Sequence, residues 1–242
     1  MREYRKNILE IEDIAYMIDP SVLKLDSTPE DVLEMIDMCK KYGFGTAFCW
    51  PCNYPILSEG LKDTKTAFGT SLAFPSGQEA TCTKVQMAKY FEQFNPTEHD
   101  MVMNIGWLKS GRYAEVVADI RAVREAVAEK SLKVIIEAML LSDDEICKAC
   151  ELAIEGGADY VKSGTGFSTA PTTLHHVQVM KAAMGNRAKL KVAGGVRDLD
   201  TLLKMHKVGA NRFGIGWKSA ERIIIEAEKM CPINVDTIIV AD

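Results

Sequence analysis

The chain has 242 residues, 47% hydrophobic and 26% charged, with 29 Lys and Arg against 34 Asp and Glu for a net charge of −5. That length is enough for one large core, and the mildly acidic balance lacks the basic footprint of a nucleic-acid binder. The charged N-terminal stretch MREYRKNILEIEDIAYMID has no apolar signal region, no apolar run approaches the ~20 residues of a membrane span, and seven cysteines without an export signal point to free thiols in a reducing cytoplasm. Neither nucleic acid nor membrane is expected as a partner.

In chain order, short β-rich runs alternate with helical patterns. Candidate strands lie at 17–23, 44–49, 67–73, 99–105, 132–138, 158–162, 189–193 and 211–215. The stretch before residue 16 predicts an extra N-terminal helix closing the bottom of a barrel. Pro29 after Ser27-Thr28, and the run Ser142-Asp143-Asp144-Glu145, read as helix starts; Gly156-Gly157 reads as a helix end. The helices around 111–130 and 171–184 are expected to be the longest. Eight β/α units of about 30 residues predict an α/β fold, a single (β/α)8 TIM barrel spanning 1–242. A doubly wound open sheet competes, but eight units, with polar, glycine-rich segments following the strands, favour the barrel. The tail after Cys231 has no clear pattern.

Barrel active sites lie at the C-terminal ends of the strands. The sixth candidate strand ends on Lys162 and enters Ser163-Gly164-Thr165-Gly166-Phe167; the seventh carries Lys191 before Val192-Ala193-Gly194-Gly195-Val196-Arg197. Two lysines on adjacent strands share one low-dielectric mouth, where burial and a neighbouring cation both disfavour the ammonium form. A neutral amine attacks carbonyls, which is the requirement of Schiff-base catalysis. Most strand-end lysines are solvated surface charges, and Lys133 and Lys189 are assigned to that class. On the fourth strand, alternation puts Asp100 on the face of Glu98 and Val102, with His99 on the other. A buried acid needs a partner, and Lys162 and Lys191 are the natural ones; a purely structural salt bridge is the competing reading.

These segments together resemble the deoxyribose-phosphate aldolases, class I enzymes that cleave 2-deoxy-D-ribose 5-phosphate to D-glyceraldehyde 3-phosphate and acetaldehyde. The resemblance runs in register through Met17-Ile18-Asp19, Ala47-Phe48-Cys49 with Pro51, Phe74-Pro75-Ser76-Gly77, Asp100-Met101-Val102-Met103-Asn104-Ile105-Gly106, Lys133-Val134-Ile135-Ile136-Glu137, and the two lysine segments above. It implies Lys162 as the Schiff-base lysine, Lys191 as the second lysine that depresses its pKa, and Asp100 as the proton relay. It places Asp19 near the sugar hydroxyls and Cys49 near the sugar site. Glycines such as Gly194 and Gly195, with Thr165 and Gly166 from the preceding loop and Gly216 after the last strand, would hold the phosphate through backbone N–H groups. A small phosphorylated sugar or aldehyde is the implied partner, and a homo-oligomer the implied assembly. Two departures stand out. Ser163-Gly164 replaces the family's Thr-Ser pair, and Gly216-Trp217, followed by Lys218, replaces a serine pair. A sister aldolase acting on another sugar phosphate therefore stays open, as does a phosphate-binding barrel without chemistry.

Other motifs carry less. Cys49-Trp50-Pro51-Cys52 has the form of a thiol redox site, but such domains are about half this length. Cys147 and Cys150 form a second pair inside a helical pattern, so a four-thiolate zinc site is disfavoured. The four histidines are scattered: His99 faces away from Asp100, His175 and His176 diverge, and His206 lies on another helix. No metal is expected. Gly164-Thr165-Gly166 and Gly214-Ile215-Gly216 lack the further residues of a dinucleotide or P-loop fingerprint, so no cofactor is expected.

Overall fold

In the computed structural model, which describes residues 7–240, eight parallel strands close into a barrel. The barrel strands are β2 (Ile18–Val22), β3 (Thr46–Cys49), β4 (Ala67–Leu72), β5 (Glu98–Val102), β6 (Ser131–Ile135), β7 (Tyr160–Lys162), β8 (Lys189–Ala193) and β9 (Arg212–Gly216). Each falls inside or within a residue of its candidate run, and β9 pairs with β2 to complete the ring. An antiparallel pair, β1 (Ile8–Leu9) and β10 (Ile233–Asn234), lies outside it.

The helices are α1 (Ile11–Met17), α2 (Pro29–Tyr42), α3 (Tyr54–Gly60), α4 (Thr81–Phe91), α5 (Ile105–Lys109), α6 (Tyr113–Val127), α7 (Asp143–Glu155), α8 (Leu174–Met184), α9 (Leu199–Val208) and α10 (Trp217–Met230). Among the described residues, no helix is long and apolar enough to cross a membrane. Local chemistry explains the boundaries. The Thr28 hydroxyl accepts from the Asp31 N–H while Asp31 returns a bond to the Thr28 N–H, and Gly43 at φ +66° ends α2. Ser142 and Glu145 form the same reciprocal cap on α7.

Three features differ from the expectations. The N-terminal helix is a seven-residue segment, α1, that runs directly into β2; residues 1–6 lie outside the described range. The tail after Cys231 supplies β10, whose pairing with β1 sits on the face where the strands begin, and Lys207 at the end of α9 donates to the carbonyls of Asp236 and Ile238. Helix α8 is shorter than predicted, because residues 163–173 form a long loop over the mouth. The Thr172 N–H is spent on the Gly194 carbonyl at 2.7 Å, and Thr173 caps the helix after it.

The apolar core lies between strands and helices, where Ile14, Val32, Met35, Ile120, Val161 and Val192 are fully buried. The barrel interior is different. Aromatic rings and charges fill it, and Gly69 on β4 makes room: a Cβ there would come within 2.4 Å of the Phe48 ring. The interior is thus built around polar chemistry rather than stacked aliphatic layers.

Candidate active site

Lys162 closes β7 and stands directly opposite Lys191 in the β7–β8 register. Both side chains point into the barrel and donate to one oxygen, Oδ2 of Asp100, at 2.8 and 2.7 Å. Lys191 Nζ also lies 2.8 Å from Asp19 Oδ2 and 4.2 Å from the centre of the Phe48 ring. Lys162 Nζ is 6.0 Å from the ring centres of both Phe48 and Phe74. The amine that faces the mouth is therefore held in a narrow slot of aromatic faces and like charge.

That setting controls ionisation. Burial drives the Lys162 pKa down from 10.5 to about 8; the attraction of Asp100 opposes the fall and the charge of Lys191 reinforces it. Burial alone would raise the Asp100 carboxyl, but Lys162, Lys191 and Lys133 outweigh it and hold the group far below the usual carboxylate range.

A second layer of charge lies beneath. Lys133, expected at the surface, is fully buried. It stands opposite Asp100 in the β5–β6 register, with Nζ 3.5 Å from Asp100 Oδ1 and bonded to Glu98 Oε2. Arg212 at the start of β9 donates to Asp19 from Nε at 3.0 Å and from Nη2, and its Nη1 lies 3.7 Å from Glu98 Oε1. The Thr46 hydroxyl donates to Glu98 at 2.6 Å, and the Thr46 N–H to Asp19 at 3.0 Å. Four cations (Lys133, Lys162, Lys191 and Arg212) thus meet three carboxylates (Asp19, Glu98 and Asp100), and the cluster balances only when one amine is neutral. Lys162 is the amine at the mouth, and burial lowers its pKa. His99 points outward as expected, bonding Thr70 at 2.7 Å and Glu92 at 3.0 Å. Lys189 is exposed, as expected.

Above the lysines opens a cavity of about 900 Å³ lined by Asp19, Phe48, Lys162, Thr165, Gly166, Lys191, Gly194, Gly195, Gly216 and Trp217. Its far end is suited to an anion. Gly166 and Gly194, both at φ +86°, lie side by side, with a Cβ on Gly194 3.5 Å from the Gly166 Cα. The N–H groups of Gly166, Gly194 and Gly195 make no hydrogen bond among the described residues. The first turn of α10 opens on the same cavity from Gly216, with no side-chain cap and nothing within 4 Å of a Cβ placed there. Helix N-terminus and unbonded N–H groups together favour a phosphate-like group. Arg197, Lys218 and Arg222 add positive charge to the walls. Trp217 lines the cavity and packs in part against the core, and Lys218 Nζ lies 4.9 Å over its ring and 3.9 Å from Asp31.

Cys49 is placed differently from expectation. It is buried outside the cavity lining, its thiol directed to the Trp50 carbonyl at 3.4 Å, and its strand neighbour Phe48 faces the mouth instead. Burial pushes the Cys49 thiol well above its ordinary range, and Cys52 is exposed and unpaired with it. Neither property suits a thiol redox pair. The segment contributes Trp50, which packs edge-on against Phe74 and Phe167 at 5.8 and 5.9 Å to form an aromatic rim. Among the described residues, no group of three or more His, Cys, Asp or Glu side chains could hold a metal ion.

The chain is similar to known aldolases. Residues 15–218 match the DeoC/LacD family aldolase profile. The deoxyribose-phosphate aldolase of Carboxydothermus hydrogenoformans is 40% identical over 205 residues, covering 83% of this chain and 90% of that protein. The deoxyribose-phosphate aldolase of Bacillus cytotoxicus is also 40% identical, over 90% of this chain and 97% of its own. Among solved structures, the tetrameric deoxyribose phosphate aldolase of Aeropyrum pernix superposes with a TM-score of 0.80 at 25% identity, covering 91% of this chain and 93% of that one.

Proposed function

The chain belongs to the DeoC/LacD family of aldolases, and on that footing we propose that it cleaves 2-deoxy-D-ribose 5-phosphate to D-glyceraldehyde 3-phosphate and acetaldehyde through a Schiff base on Lys162. The observation that carries the mechanism is the register-paired Lys162 and Lys191 sharing one oxygen of Asp100, with the Lys162 pKa brought down to about 8.

In this mechanism the neutral Lys162 amine adds to the C1 aldehyde of the open-chain sugar, and the carbinolamine loses water to give an iminium ion. The C3 hydroxyl gives up its proton and the C2–C3 bond breaks. Its electron pair moves into the C1–C2 bond as the iminium becomes an enamine, and glyceraldehyde 3-phosphate departs. Protonation of the enamine at C2 and hydrolysis release acetaldehyde and restore the amine. Asp100, ionised at rest, takes up a proton from Lys162, Lys191 or a water molecule and hands it on within the same group, returning to the carboxylate, while Lys191 keeps Lys162 easy to deprotonate. Asp19 is positioned for a sugar hydroxyl. The phosphate lies against Gly166, Gly194, Gly195 and the α10 N-terminus at Gly216, with Thr165 shaping the loop beside it.

Acetaldehyde followed by borohydride tests the chemistry: a reduced two-carbon adduct mapped to Lys162 is expected, and an adduct confined to other lysines refutes it. A second reading, a related sugar phosphate as substrate, is favoured by Gly216-Trp217-Lys218 at the phosphate end. Relative kcat/KM across aldose phosphates of different chain length decides between them. We further propose a homo-oligomer, supported by the tetrameric Aeropyrum pernix relative and tested by light scattering. The cytoplasm is the proposed compartment, supported by seven cysteines that are all free thiols.

A further inference from the structure

Glu137 follows β6 with its backbone at φ +49°, a left-handed conformation that a residue with a side chain rarely adopts. Its side chain is buried, at 6% exposure, and no basic group lies within ion-pair distance of it among the described residues. A strained backbone and a buried carboxyl without a cation are both unfavourable, so the bonds this side chain makes are the place to look.

Both bonds go to one turn in the next loop. Oε2 accepts from the Thr165 N–H at 2.9 Å, and Oε1 accepts from the Ser168 hydroxyl at 2.8 Å. Within the turn, the Thr165 hydroxyl accepts from the Phe167 N–H at 3.0 Å. The N–H groups on either side of Gly166 are therefore both consumed, one by Glu137 and one within the turn. The Gly166 N–H between them is left unbonded, beside Gly194 at the anion end of the cavity. Glu137 lines no part of that cavity, so whatever it does to a ligand it does through the turn.

We propose that Glu137 is a positioning residue that sets the preference for a phosphorylated over an unphosphorylated sugar, by clamping the Thr165–Ser168 turn so that Gly166 faces the phosphate. This rests on the function proposed above. A carboxyl group suits the task because its two oxygens take two donors three residues apart. Glutamine keeps one acceptor for the Thr165 N–H and offers an N–H to the Ser168 hydroxyl, which can rotate to accept it.

The test compares Glu137→Ala, Glu137→Gln and Ser168→Ala with the unaltered protein, each checked for native circular dichroism. Steady-state kinetics are run on 2-deoxyribose 5-phosphate and on 2-deoxyribose, and inorganic phosphate is titrated calorimetrically. Glu137→Ala is expected to raise KM for the phosphorylated sugar and weaken phosphate binding by about tenfold, the equivalent of one or two lost hydrogen bonds, with kcat and the unphosphorylated reaction little changed. Glu137→Gln should recover most of the loss, and Ser168→Ala should show a smaller shift in the same direction. An equal fall on both sugars, or unchanged phosphate affinity in Glu137→Ala, overturns the proposal. Should Glu137→Ala fail to fold, Ser168→Ala with unchanged phosphate affinity overturns it equally. If the unaltered protein does not cleave the phosphosugar, the functional reading fails, and the phosphate titration still decides the role of Glu137.

Discussion

Lys162 and Lys191 are register partners on adjacent parallel strands, and their ammonium groups converge on a single carboxylate oxygen instead of diverging to solvent. Strand spacing in a parallel sheet, about 4.8 Å, forces the two nitrogens into each other's field. Asp100 holds the pair together without supplying a second negative charge. The result is one amine that loses its proton easily, placed at the end of a strand that opens into the cavity.

The first prediction concerns that coupling. Replacing Lys191 by leucine removes a positive charge beside Lys162, so its pKa rises from about 8 back toward 10.5. The neutral amine is the reactive form, so kcat/KM at neutral pH falls by about tenfold for each unit of that rise. The acid limb of the pH–rate profile moves up by the same interval, and much of the rate returns at alkaline pH. A Lys191→Leu profile unmoved along the pH axis would show that Lys191 acts by another route.

Stability at low pH follows from the lower charge layer. Burial raises the pKa of Glu98, but Lys133 and Arg212 outweigh it and bring the group from 4.5 down to about 2. A folded-state pKa below the unfolded one means stabilisation that is complete above the unfolded pKa and lost as pH falls from about 4.5 to about 2. The shift corresponds to about 3 kcal/mol. Glu98→Gln should therefore flatten the acid dependence of the denaturant midpoint in that window. It should also lower the neutral-pH midpoint, because Lys133 and Arg212 lose a buried partner. An unaltered slope between those pH values would remove Glu98 from the account.

Gly194 separates binding from chemistry. Its φ of +86° makes an alanine there strained by about 1–2 kcal/mol. Gly194→Ala is expected to raise KM for the phosphorylated sugar while borohydride trapping of acetaldehyde on Lys162 proceeds as before. Loss of trapping in a folded Gly194→Ala protein would place this glycine in the lysine chemistry instead.

The thiols give an inexpensive check on the packing. Cys52 and Cys82 are exposed, whereas Cys39, Cys49 and Cys150 are buried, with burial pushing Cys39 and Cys150 up to about 12 and Cys49 higher still. Iodoacetamide on the native protein should label Cys52 and Cys82 first and reach the other three only after denaturation. Early labelling of Cys49 would revive a reactive role for the Cys49–Cys52 segment.

The barrel strands were readable because each is a short apolar run bounded by turn residues, and a lysine ending such a run marks the mouth. Lys133 is buried against expectation for a physical reason. It is the third residue of β6, and nothing local says that it points inward opposite Asp100; only the β5–β6 register does. Arg212 carries no local signal either, since its partners Asp19 and Glu98 lie more than a hundred residues away. On β3 all four residues are buried, so hydrophobic alternation could not tell that Phe48, and not Cys49, faces the cavity. The β1–β10 pair is two residues per strand, too short for any periodic signal. Pro171 and Thr172 resemble a helix start, yet Gly194 draws Thr172 into the loop.

The β1–β10 pair brings Leu9 alongside Ile233, and Asn7 bonds Asp236, all on the face where the barrel strands begin. Residues 7–9 and 233–236 are thus neighbours on the side remote from the lysines. A short peptide joining them is geometrically simple, which makes the barrel a candidate for circular permutation. Tethered to a resin or a partner enzyme by that end, the molecule would turn its open mouth outward, toward arriving sugar.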